Sequence, residues 1–132
     1  LQREARLGGA LPYRLIKLVR APRDRGVLRE RIALRFRSML ACGLEEEVRG
    51  LWARGDLHPA MPSLRTVGYR QILKYLFGEY SFEEMVERSI VATRQLAKRQ
   101  YTWLRAETGC HWVTDDASCA RQATGAIRNA GA

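Results

Sequence analysis

Between positions 94 and 105 the chain carries Arg94, Lys98, Arg99 and Arg105 without an acid, and sets Tyr101 and Trp103 among them. Cations spaced along one element can follow a run of phosphates, and interleaved rings can stack on bases. An ordinary solvated helix face would show the same residues. The preference of a helix C-terminus for positive charge also explains part of the excess. Gln100 falls in the apolar arc of the same expected helix, where a buried amide must find partners. It is either a structural link between helices or a group that reads a base.

A second cluster, Arg65-Thr66-Val67-Gly68-Tyr69-Arg70, puts two arginines, a hydroxyl, a ring and a glycine at the start of an expected helix. Free N–H groups at such a start attract phosphate, and a glycine lets another backbone approach. A capped helix start with two exposed arginines accounts for the pattern equally well. Arg31 and Arg35 stand one helical turn apart and can reach an anionic ligand, as can many surface arginine pairs.

Several chemistries are excluded. The sequence has no Gly-Lys dipeptide and hence no phosphate-binding P-loop. His58 and His111 are far apart, and Cys110-His111 with Cys119 lacks zinc-site spacing. No serine sits in a nucleophile elbow. No self-sufficient catalytic machinery is evident.

The elements that must position these residues are mainly helical. Asp24 is the expected N-cap of a helix over 25–41, closed by Gly43. A second helix is expected over 44–54, with Glu45, Glu46 and Glu47 at its positive end. A proline-marked connection follows, then a third helix over 67–77 that stops at Gly78. Ser81 and Glu84 form a capping box that starts a fourth helix running to about 105 or 106. At about 100° per residue, Phe82, Val86, Ser89, Thr93, Leu96, Ala97 and Leu104 share its apolar face, and Arg94, Lys98 and Arg105 cluster on the other side. Tyr13 to Val19 reads as a short strand before Pro22, His111 to Val113 as another, and the tail from Asp116 has a weak helical pattern. Residues 1–10 are expected to be ragged. A lone strand cannot satisfy its own backbone, and two make a poor sheet, so further sheet partners are expected upstream.

The bulk numbers set the outer bounds. At 132 residues the chain is the size of one domain, and 46% hydrophobic residues argue against global disorder. Lys and Arg number 23 against 14 Asp and Glu, an excess of +9 that favours polyanions, nucleic acid before membrane. No uncharged apolar run approaches the ~20 residues of a membrane helix. Cys42, Cys110 and Cys119, odd in number and irregularly spaced, suit free thiols in a reducing, cytoplasmic setting.

Three ordered blocks carry a resemblance. They are Arg31-Ile32, Arg35-Phe36, Met39-Leu40, Gly43-Leu44, Glu47-Val48 and Arg54-Gly55-Asp56; then Pro62 through Gln71; then Ala92 through Arg105. Over about Pro12 to Val113 the chain resembles the C-terminal part of bacterial tRNA dimethylallyltransferases, also called tRNA isopentenyltransferases. The resemblance implies a P-loop-type α/β fold with helical additions, of which residues 11–115 are the C-terminal part and 116–132 a tail. It implies transfer of a dimethylallyl group from dimethylallyl diphosphate to N6 of the adenosine 3′-adjacent to the anticodon, position 37. It further implies magnesium, an anticodon stem-loop as partner, and a monomer.

Carried over residue by residue, the family's tRNA-contacting segments fall on Arg65, Thr66, Val67, Gly68, Tyr69 and Arg70, and on Lys98, Arg99, Gln100, Tyr101, Thr102, Trp103, Leu104 and Arg105. A diphosphate-contacting arginine corresponds to Arg35, with Arg31 as the alternative. The family's P-loop, general-base aspartate and magnesium ligands are expected upstream of residue 1. The chain is therefore expected to be a fragment, inactive alone. A non-catalytic basic helical RNA-binding module is the alternative.

Overall fold

The computed structural model describes residues 15–131; the ragged segment 1–10, Pro12, and Tyr13 and Arg14 of the expected first strand lie outside them. The chain divides into two compact units, one of residues 24–106 and one formed by the two chain ends.

The central unit holds four helices, α1 (Arg25–Ala41), α2 (Leu44–Ala53), α3 (Tyr69–Leu76) and α4 (Phe82–Ala106). Asp24 is extended and its Oδ1 accepts the Gly26 N–H at 2.8 Å, capping α1 as expected. Gly43 closes α1 at φ +93°, a left-handed conformation that glycine adopts without steric penalty. Arg49 bonds Glu45 one turn earlier in α2 at 2.6 Å. The Ser81–Glu84 capping box forms at both ends, with the Ser81 N–H on Glu84 at 3.0 Å and the Glu84 N–H on Ser81 Oγ at 3.2 Å.

Phe36, Val48, Leu64, Ile72, Leu73, Met85 and Ile90 make the core, one or more from each helix plus Leu64 from the connection. Burying each such side chain is worth about 1.5–3 kcal/mol. Leu64 pins the proline-marked connection to this core. The N-terminal turns of α1 face the C-terminal half of α4, and Leu40 at the far end of α1 lines one hollow with Phe82 and Val86 at the start of α4. The two helices therefore run antiparallel.

Three expectations are corrected. The third helix starts at Tyr69, not Val67, because Gly68 sits at φ +98°, ψ −66° and cannot be helical. Of the expected α4 face only Ser89 is buried; Phe82 and Leu96 are exposed, and the helix instead gives Met85 and Ile90 to the core. Gln100 is exposed too, since the core ends near Ile90, so its amide meets solvent rather than a helix–helix contact.

The other unit is a pair of parallel strands, β1 (Lys17–Ala21) and β2 (Cys110–Thr114), followed by α5 (Cys119–Gly131). Lys17 pairs with Cys110 and Ala21 with Thr114, so the connection between the strands is the whole of residues 22–109. Lys17 Nζ and Glu107 meet at 2.6 Å; this bond holds the lysine above and the carboxyl below their ordinary pKa values. Asp116 caps the start of α5 by accepting the Ser118 N–H at 2.8 Å. Gln122 reaches back from α5 to the Thr114 N–H at 2.9 Å, which makes the weakly patterned tail a docked helix. The result is mainly helical with two strands, as expected.

Candidate nucleic-acid interface

Val91, Arg94, Gln95, Lys98, Tyr101, Thr102 and Arg105 recur on α4 at i, i+3, i+4, i+7, i+10, i+11 and i+14, the spacing of one helical stripe. Opposite them Arg25, Leu28, Arg29 and Ile32 form the matching stripe on α1. Between the stripes lies an open groove of about 640 Å³. Five cations line it, Arg25, Arg29, Arg94, Lys98 and Arg105, and among the described residues no acidic side chain does.

Local bonds hold this arrangement. Arg94 Nη2 reaches the Arg29 carbonyl at 3.5 Å, Thr102 Oγ1 donates to the Lys98 carbonyl at 3.1 Å, and the Arg105 guanidinium stands 6.0 Å from the Tyr101 ring centre. The first turn of α1 begins with Arg25, and the Asp24 carboxylate that caps this end offsets the positive pole of the helix.

A second groove of about 510 Å³ runs between α3 and α4. Val91 and Gln95 line both, so the grooves flank the same turns of α4. Arg70 lies in the second groove. Its charges are mixed, since Glu84 and Glu87 line it with Arg70, Lys74 and Arg88. Lys74 bonds Glu79 at 2.6 Å, which raises the lysine pKa, and the Tyr80 ring lies near both Lys74 (5.2 Å) and Arg88 (4.5 Å).

The residues singled out in the sequence distribute unevenly over these surfaces. Lys98, Tyr101, Thr102 and Arg105 line the first groove. Arg99, Gln100 and Trp103 are exposed elsewhere on α4, and Leu104 is half-buried. The stretch 65–70 does not present one surface. Arg65 and Thr66 are exposed, with Thr66 Oγ1 on the Ser63 carbonyl at 2.7 Å, while Val67 is half-buried and Gly68 buried. The Tyr69 hydroxyl donates to Glu47, a bond that raises its pKa, and only Arg70 reaches a groove.

The expected cradle of free N–H groups is also reduced. The Gly68 N–H is held by Gln71 Oε1 at 2.9 Å and the Arg70 N–H by the Thr66 carbonyl at 3.1 Å. Nor does Gly68 admit a second backbone: the nearest group to its missing Cβ is the Phe36 ring at 3.8 Å, so the glycine serves the positive φ. Arg31 and Arg35 are exposed on α1, about 100° and 60° around the axis from Ile32. They do not line the basic groove.

Arg25, Arg29 and Gln95 join the site without having been singled out. The available signal was the i, i+3, i+4, i+7 run from Arg25 to Ile32, matching the stripe on α4. Among the described residues no three His, Cys, Asp or Glu gather as metal donors, and a groove lined by cations repels a divalent ion. The implied magnesium does not fit the residues described. No helix among them is long and apolar enough to cross a membrane.

Residues 1–107 match the family described as IPP transferase. The fold is similar to the full-length tRNA isopentenylpyrophosphate transferase of Bacillus halodurans, with a TM-score of 0.78 and 30% identity over 91% of this chain. It is likewise similar to the tRNA delta(2)-isopentenylpyrophosphate transferase of Staphylococcus epidermidis, with a TM-score of 0.72 and 30% identity over 87% of the chain. The match spans 39% and 36% of those two proteins.

Proposed function

The chain belongs to the IPP transferase family, and from that premise we propose that it forms the tRNA-facing C-terminal part of a tRNA dimethylallyltransferase. The reaction is attack by N6 of adenosine 37 on the first carbon of dimethylallyl diphosphate. The new N–C bond replaces the C–O bond, diphosphate leaves with the electron pair, and N6 gives its proton to a base. An atom inside a stacked loop is shielded, so the adenine must leave the stack first.

The observation that carries this reading is the acid-free groove of five cations between α1 and α4. Such a surface gains most from a partner with many phosphates, and an anticodon stem-loop is one. The roles follow the family resemblance. Lys98 to Arg105 hold the stem-loop, together with the exposed Arg65, Thr66 and Arg70 of the 65–70 stretch, and Arg35, or alternatively Arg31, meets the diphosphate. The P-loop-type α/β part, the general base and the magnesium ligands are assigned to the portion of the enzyme outside the described residues. A cytoplasmic monomer completes the proposal.

The test uses the enzyme that contains this chain, unmodified tRNA and dimethylallyl diphosphate, with nucleosides read by mass spectrometry. N6-dimethylallyladenosine should appear, and should vanish when adenosine 37 is replaced by guanosine. Bound but unmodified tRNA would favour the non-catalytic RNA-binding module instead.

A further inference from the structure

We propose that Arg25 and Arg29 of α1 form the second wall of a cleft that holds a single RNA strand of the tRNA substrate against α4. This assignment rests on the tRNA-modifying reading above and adds a binding element on a different helix from the segments already named.

Three observations carry it. First, cations from two separate helices converge on one volume, whereas a solvated face would disperse them. Second, that convergence is electrostatically unfavourable in the free protein, because five cations and none of the acidic side chains among the described residues line the groove. An anion in the groove relieves this repulsion. Third, the α4 cations from Arg94 to Arg105 extend over about 16 Å of helix. That is too long for one diphosphate and suits successive phosphates of a strand. Tyr101 lies between Lys98 and Arg105 in the same groove, where an unstacked base can meet its ring. The Arg94 contact to the Arg29 carbonyl joins the two walls.

The experiment measures tRNA affinity against salt for the complete enzyme carrying Arg25→Ala with Arg29→Ala. Each lost single-strand phosphate contact should lower the log–log salt slope by about 0.7. Between 50 and 200 mM salt the wild type should therefore lose about sevenfold more affinity than this variant. Arg25→Lys with Arg29→Lys keeps the charges and should restore the wild-type slope. Arg49→Ala, which removes an arginine already paired with Glu45, should leave it unchanged.

An unchanged slope in the alanine pair, with a reduced one in Lys98→Ala plus Arg105→Ala, overturns the second wall and leaves the tRNA reading standing. Unchanged slopes in both pairs remove the tRNA reading of this face as well. A lysine pair as weak as the alanine pair also overturns the proposal, because the contact would not be one of charge.

Discussion

Gln71 turns its side-chain oxygen back to the backbone N–H of Gly68, 2.9 Å away inside the core, and so closes the start of α3 from within. Gly68 holds φ +98° at that point, where a side chain would be strained. Gly68→Ala should cost about 1–3 kcal/mol of unfolding free energy from the backbone alone. Gln71→Leu should cost a similar ~1–3 kcal/mol by leaving a buried donor without its acceptor. Denaturant unfolding measures both, and losses below a few tenths would show that the turn does not depend on this pair.

Arg35→Ala, made in the complete enzyme, should lower turnover more than it lowers tRNA affinity. An arginine on the departing diphosphate stabilises charge that grows in the transition state. The same substitution at Arg31 should then have the smaller effect. Equal turnover in wild type and Arg35→Ala would exclude Arg35 from leaving-group stabilisation.

Trp103 is 78% exposed, so its removal should change stability by less than about 0.5 kcal/mol. A base stacked on that ring is worth about 1–3 kcal/mol, roughly five- to 150-fold in affinity. Trp103→Ala should therefore fold normally and bind tRNA more weakly. Unaltered tRNA binding would leave the ring without a stacking role.

The Tyr69 hydroxyl donates to Glu47, and this bond, aided by desolvation, raises its pKa above the ordinary 10.0. Because the folded value lies above the unfolded one, the stabilisation is complete below about pH 10 and is lost as pH rises through the folded value. Phenolate absorbance should show Tyr69 titrating above its ordinary value, and Glu47→Ala should lower that midpoint. Tyr69→Phe should remove that part of the alkaline stability loss. A Tyr69 midpoint that Glu47→Ala leaves unmoved would contradict the bond.

Local signals in the sequence placed most elements because their causes are local. Asp24, Gly43 and the Ser81–Glu84 box satisfy or end a helix within four residues of themselves, so helix starts and stops were legible. In the sequence Gly68 suggests close approach of a backbone, yet its positive φ and the Gln71 bond depend on how the connection lies over the core. Gln100 fits an apolar arc in projection but meets solvent, because the arc continues past the last core contact. The basic face of α4 was visible in the sequence, and its partner was not. Arg25 with Arg29 and Arg31 with Arg35 are both pairs at i, i+4. Only the packing of Ile32 and Phe36 rotates α1 so that the first pair lines the groove.

The most direct measurement is transfer of radiolabelled dimethylallyl groups to unmodified tRNA. This chain would be run beside a version extended upstream to include a P-loop, with and without Lys98→Ala plus Arg105→Ala. The account predicts label in tRNA for the extended protein, less with the double substitution, and none for the 132-residue chain alone. No label from the extended protein, with tRNA binding intact, would contradict it.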